Sequence, residues 1–322
     1  MTAISDLVSR LVVGQSTRIG ALEVFPLFQL NDPSGNSLHL STPYLLLADA
    51  LANGSARVEE VSEGGSVPTL HLVNLSALPI LAFDGEELVG AKQNRILSVS
   101  ILAPPQSQIE IPVACVEQGR WRFTSRTFAA SRDMLFAKAR AKKARSVRAS
   151  YASSARPDAD QQAIWSAIDD KLERLSVSRK TAAMAEAFED RAVRIEEYAG
   201  AVSVAEGQVG AVFALNGRVF GLDVVESPEI CGRLLPKLVR SYALDALEIE
   251  EVGEAEAPKA VWFGVGQLGD FLNAVAQAGT SVRPAIGLGE DLRFDGREIE
   301  GGALIYEQNA LHVSAFAASE VV

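Results

Sequence analysis

From about residue 20 to 123, apolar residues fall in short runs, often at alternate positions, broken by Gly, Pro, Asn and Asp. That period of two with frequent turn residues predicts antiparallel strands. "TLHLVNL", "LPILAF", "RILSVSIL" and "QIEIPVACVE" are the clearest of them, and "PYLLLADALANG" reads as a short helix closed by Gly54. From about 126 to 199 the chain becomes alanine-rich with scattered charge and almost no Gly or Pro. Three helices fit there, with Pro157 near the start of the second and Ser178 as N-cap of the third. Strands return after Gly200 in "VGAVFAL" and "RVFGLDVV", joined by Asn216-Gly217, a strong two-residue hairpin signal. In "RLLPKLVRSYALDALEIE" Leu234, Leu238 and Tyr242 recur at helical spacing, with Pro236 expected to start or kink the helix. An acidic link, a strand at "KAVWF", a glycine-rich turn, a further helix and a final pair of strands complete the chain.

This order predicts an α+β fold. An antiparallel β-rich N-terminal lobe spans 1–125, a helical segment 126–205, and a C-terminal α+β lobe 206–322 that can form one domain with the first. "FDGREIEGGA" near the C-terminus echoes "FDGEELVGA" at Phe83–Ala91, either as a true duplication or as the shared grammar of Asp-Gly hairpins.

Strand periodicity then places the unusual polar residues. In "RILSVSIL", Leu97, Val99 and Ile101 share a face that Arg95 joins one step earlier. In "IEIPVACVE", Ile109, Ile111, Val113 and Cys115 share a face whose next member is Glu117. If Ile101 pairs with Ile109 in a hairpin, Leu97 lies opposite Val113, Arg95 opposite Cys115 and Gln93 opposite Glu117, which brings Arg95 near Glu117. Two readings follow: an ion pair capping the sheet, or part of a ligand site. Glu86, Glu87, Lys92, Gln93, Asn94, Arg95, Glu117, Gln118 and Arg120 converge on the same strand ends. Gln93, Asn94, Arg95, Gln118 and Arg120 are the candidates to hold a planar anionic ligand, and Glu86, Glu117 and Lys92 those for chemistry.

A chain of 322 residues with net charge -11 has ample material for a core, and its charge argues against a nucleic-acid or anionic-membrane footprint over the whole surface. The N-terminal stretch lacks the pattern of a signal peptide and no apolar run approaches a membrane span, so the expectation is a cytoplasmic protein. Cys115 and Cys231 give no disulfide framework, and His39, His71 and His312 lie too far apart for a zinc motif. An oxygen-ligand site for magnesium (Mg2+) stays open. Gly264, Gly266 and Gly269 spell a dinucleotide fingerprint, but only 53 residues follow, too few for the repeated βαβ units that it serves.

"GEELVGAKQNRIL", followed by "PVACVEQGRW", resembles the ADP-ribosylglycohydrolase and rhodanese-phosphatase-associated protein domain family. The resemblance extends to "VPTLHLVN", the Gln162 to Trp165 region and "LVRSYALDALE". It implies a place in NAD or ADP-ribose metabolism, though not that the domain is catalytic.

The expectation is therefore an enzyme or ligand-binding protein for a small anionic, nucleotide-like or ADP-ribose/NAD-derived metabolite. The alternative is a non-catalytic module that binds RNA or an acidic protein through the segment from Arg126 to Arg156, which holds nine basic residues and one acid.

Overall fold

The computed structural model describes residues 3–30, 43–62, 66–253 and 263–318. Helices and strands occupy similar shares, and the sheets are almost wholly antiparallel, so the fold is α+β. The chain divides into two compact units: 1–41 with 192–283 and 290–322, and 42–191 with 284–289.

The first unit is built on a ten-stranded sheet that joins strands from both ends of the sequence. Leu22–Gln29 pairs with Gln208–Leu215, which continues through Arg218–Val225 to Asn309–Ala317 and Ile299–Tyr306. The Asn216-Gly217 hairpin forms as expected, both residues taking the positive φ that this tight turn requires. One face of the sheet packs Val212, Leu222, Val224 and Val313 against the helices Ala3–Ser9 and Leu268–Gln277 through Ile4, Leu7 and Phe271. On the other face Phe213 stacks on Tyr242 of the helix Pro228–Val252, with ring centroids 4.0 Å apart.

The second unit carries the candidate site. Its six-stranded sheet runs in the order Phe128–Met134, Glu86–Gly90, Arg95–Leu97, Ser107–Cys115, Thr69–Asn74, Ala56–Glu60. An antiparallel bridge between Glu59 and Thr127 joins the two edges, so the sheet curls into a small barrel. Alternate residues fill its interior: Ala56 and Val58, Leu70 and Leu72, Ile111 and Val113, Leu97, Leu88 and Phe128. A second sheet of three short strands, Leu45–Leu46, Ile80–Ala82 and Ile101–Ala103, extends the same core.

Several expectations change. "RILSVSIL" is not one strand: Arg95–Leu97 stays in the barrel while Ile101–Ala103 pairs with Ile80–Ala82 in the smaller sheet. Ile109 therefore faces Leu72 rather than Ile101, although Leu97 does lie opposite Val113 and Arg95 opposite Cys115. The break is held by Asp84 and Lys143. The Asp84 N–H donates to Ser100 Oγ (2.9 Å), and Lys143 pairs with the Asp84 carboxylate while donating to Ser98 O (2.8 Å).

The alanine-rich stretch opens with the strand Phe128–Met134 and continues in four helices, Ala137–Ser154, Gln161–Arg174, Met184–Asp190 and Ala192–Ala201. Ser178 caps none of them, because the Glu186 carboxylate gathers the N–H groups of Lys180, Thr181 and Ala183 and delays the third helix to Met184. Pro236 lies inside its helix, which starts at Pro228 under a Ser227 cap. Burial of Leu234, Leu235, Leu238 and Tyr242 at ~1.5–3 kcal/mol each outweighs the ~3 kcal/mol cost of an interior proline. Phe263–Gly264 is a two-residue strand antiparallel to Arg218–Val219 rather than the first strand of a parallel βαβ unit, the setting that the glycine fingerprint needs. Most of "KAVWF" and of the acidic link, and His39, lie outside the described residues.

The echo of the two Asp-Gly stretches proves conformational at one point. Gly90 and Gly301 fall at the same place in each, with φ of 138° and 135°, and a Cβ on either would strike a carbonyl of the adjacent strand (Thr127 O or Ser314 O).

Asp84 and Lys143 form a buried pair, so removing one partner leaves an uncompensated charge. Asp84→Ala is expected to cost about 3–5 kcal/mol in urea unfolding, and Asp84→Ala combined with Lys143→Met less than Asp84→Ala alone. Equal stability of Asp84→Ala and the parent chain in that assay contradicts this role.

Candidate functional site

The site lies where three apolar strand faces end in charge. Glu86–Gly90 and Arg95–Leu97 are joined by a tight turn in which buried Ala91 takes φ 42°, a conformation that costs a non-glycine residue about 1–3 kcal/mol. Arg120 holds the turn in place. Its guanidinium donates to Ala91 O (2.8 Å), Asn94 Oδ1 (3.0 Å) and Glu117 Oε2 (2.9 Å). The other Glu117 oxygen accepts from Thr181 Oγ1 (3.1 Å), and Glu117 Oε2 also accepts the Asn94 N–H (3.2 Å).

These bonds separate the predicted residues into groups. Gln93, Asn94, Arg95, Glu117 and Arg120 are brought together, but Glu117 pairs with Arg120 rather than Arg95. Both oxygens of Glu117 already accept hydrogen bonds, and Arg120 and Asn94 serve the loop. Glu86 turns back on its own hairpin to accept the Phe83 N–H (3.0 Å). Gln118 is exposed on the loop, and its N–H reaches Ala182 O at 3.5 Å. Lys92 is buried, with Nζ 5.2 Å from the Trp121 ring centroid and 5.0 Å from that of Phe123.

Arg95 is the exception. It is fully buried in the barrel interior, where Gln93 accepts one bond from Nη1 (2.9 Å) while Nε and Nη2 have no hydrogen-bond partner. Straight across the barrel, three strands away in either direction, stands Glu60, whose buried carboxylate oxygens also lack a hydrogen bond. Their closest approach, Nη2 to Oε1, is 3.9 Å, close enough for attraction and too long for a hydrogen bond. Trp121 lies over the same guanidinium (5.8 Å) and is half exposed, as is Phe123. The arrangement therefore offers buried donors and acceptors beside aromatic rings that reach solvent.

Glu60, Trp121 and Phe123 escaped the sequence reading, yet each left a signal. "ARVEE" alternates Ala56, Val58, Glu60 on one face, the same apolar run ending in charge that marked Arg95 and Glu117. "GRWRF" interleaves Arg120 and Arg122 with Trp121 and Phe123.

On the opposite face of the sheet, burial pushes the Glu87 carboxyl from 4.5 up to about 7, with Asp133 and Glu117 adding to it and bonds from Ser131 and Asn94 working against it. Burial also raises the Cys115 thiol, and Arg95 offsets only part of that, so Cys115 is a packed residue rather than a nucleophile. Its S–H lies 3.0 Å from Gln93 Oε1, which makes Gln93 the shared acceptor that orients both side chains. Among the described residues no three His, Cys, Asp or Glu stand together as a metal site, and no helix is long and apolar enough to cross a membrane.

The family model of the ARG and Rhodanese-Phosphatase-superfamily-associated Protein domain (ARPP-1) matches residues 10–316. No curated protein and no solved structure matches the chain.

The raised Glu87 carboxyl gives a pH test. The fold favours its protonated form, so the stability that this group contributes is fully present below pH 4.5 and is lost as pH rises through about 7. The gap corresponds to about 3 kcal/mol. Glu87→Gln is expected to flatten this part of the stability-pH curve and to be more stable than the parent chain at pH 8, read by urea unfolding across pH 4 to 8. Parallel curves for the two proteins refute the assignment.

Proposed function

Because the chain belongs to the ARPP-1 domain family, whose name ties it to ADP-ribosylglycohydrolase and rhodanese-phosphatase proteins, we propose that it binds a nucleotide-like, ADP-ribose- or NAD-derived anion at the mouth of its small barrel. The observation that carries this reading is Arg95: a buried guanidinium with two nitrogens, Nε and Nη2, that donate to nothing. Each unsatisfied buried donor costs ~1–3 kcal/mol, which a phosphate oxygen accepting from Nε and Nη2 would recover. Lys92 adds a second cation beside it, and Trp121 and Phe123 offer rings on which a base can stack. The site's role is recognition, since of the carboxylates proposed for chemistry Glu86 is engaged in its own turn and Glu117 in holding the loop.

Isothermal titration with adenosine 5′-monophosphate (AMP), ADP-ribose and NAD tests the reading. Trp121→Ala is expected to weaken AMP binding about tenfold or more. Its melting temperature should stay that of the parent chain, because Trp121 is half exposed. Arg95→Lys, which keeps the charge but loses the planar fork, should weaken binding further. Absence of binding by all three compounds, or full affinity in Trp121→Ala, overturns it.

A further inference from the structure

The Arg95 site has a second half, and we infer that Glu60 is its specificity-determining residue: an acceptor that reads a hydroxyl donor, so that the ligand is a ribose-type hydroxylated phosphate rather than a bare anion. The inference rests on the anion site proposed above and deepens it. Glu60 is the last residue of the strand Ala56–Glu60, on the face that Ala56 and Val58 turn into the barrel core. Its side chain is 4% exposed, and neither carboxylate oxygen has a hydrogen-bond partner.

The chemistry of the two groups narrows what can fit between them. A guanidinium only donates and a carboxylate only accepts. Sulfate and a fully ionised phosphate ester offer acceptors alone, so they would satisfy Arg95 while setting negative charge against Glu60. A hydroxyl does both. With its oxygen ~2.8 Å from each group, one hydroxyl spans the 3.9 Å gap, accepting from Nη2 and donating to Oε1. The second Glu60 oxygen then accepts from a neighbouring hydroxyl, as a vicinal diol supplies, and Arg95 Nε and the second N–H of Nη2 remain for phosphate. Glu60 thus selects for the sugar and Arg95 for the charge.

Titration of the full chain with AMP and with 2′,3′-dideoxy-AMP, which differ only in the diol, tests this. The parent chain should bind AMP at least about tenfold tighter than the dideoxy compound. Glu60→Gln should bring that ratio toward one chiefly by weakening AMP, with binding of the dideoxy compound kept. If the chain binds both compounds alike, the inference about Glu60 falls while the anion site stands. Equal weakening of both in Glu60→Gln makes Glu60 structural, and an unchanged ratio removes its role in recognition. Binding of neither compound by the parent chain overturns both readings. Should Glu60→Gln fail to fold, Glu60→Asp, which keeps the charge but withdraws the carboxylate by one methylene, is read by the same ratio.

Discussion

One electrostatic mismatch underlies the candidate site, the buried Arg95 facing a buried Glu60 at 3.9 Å. Their attraction is about 4 kcal/mol at an effective dielectric of 20, whereas desolvation costs several kcal/mol for each ion. A pair made for stability alone would close to hydrogen-bond distance, and one such pair stands in the same unit. Asp84 and Lys143 are in contact, and they fix the point where one strand leaves the barrel for the smaller sheet. Arg95 and Glu60 instead come from opposite sides of a closed sheet, so the barrel's width holds them apart.

The surroundings maintain that geometry. Gln93 fixes one edge of the guanidinium, and its other end is bound to Glu117 O. Glu117 and Arg120 then lock the turn that supplies Gln93 and Asn94, and Gly119 anchors the loop through its N–H to Thr181 O (2.6 Å). A Cβ on Gly119 would lie 2.8 Å from the Thr181 backbone, so glycine is required at that close approach. Most of the polar cluster thus serves to present one cation and one turn.

The sequence made part of this legible. Period-two alternation located the barrel strands and gave the true register of Arg95 against Cys115, because a one-residue slip would turn every apolar side chain outward. It also drew together Gln93, Asn94, Arg95, Glu117 and Arg120. Alternation could not tell which charge pairs with which. Arg120 lies three residues from Glu117 on a loop, and loop geometry carries no periodic signal. Nor could it show that Ser98–Ser100 breaks a strand, since the cause is Lys143, 45 residues beyond Ser98 in the basic segment from Arg126 to Arg156. Glu60 was hidden for a related reason: only closure of the sheet brings the first barrel strand across from Arg95.

A crystal structure of the chain grown with AMP would show directly whether Arg95 and Trp121 hold a nucleotide. Phosphate oxygen is expected within ~3 Å of Arg95 Nε or Nη2, with the adenine stacked against Trp121 or Phe123. AMP bound elsewhere, or an Arg95 whose free N–H groups are met by protein atoms alone, would contradict it.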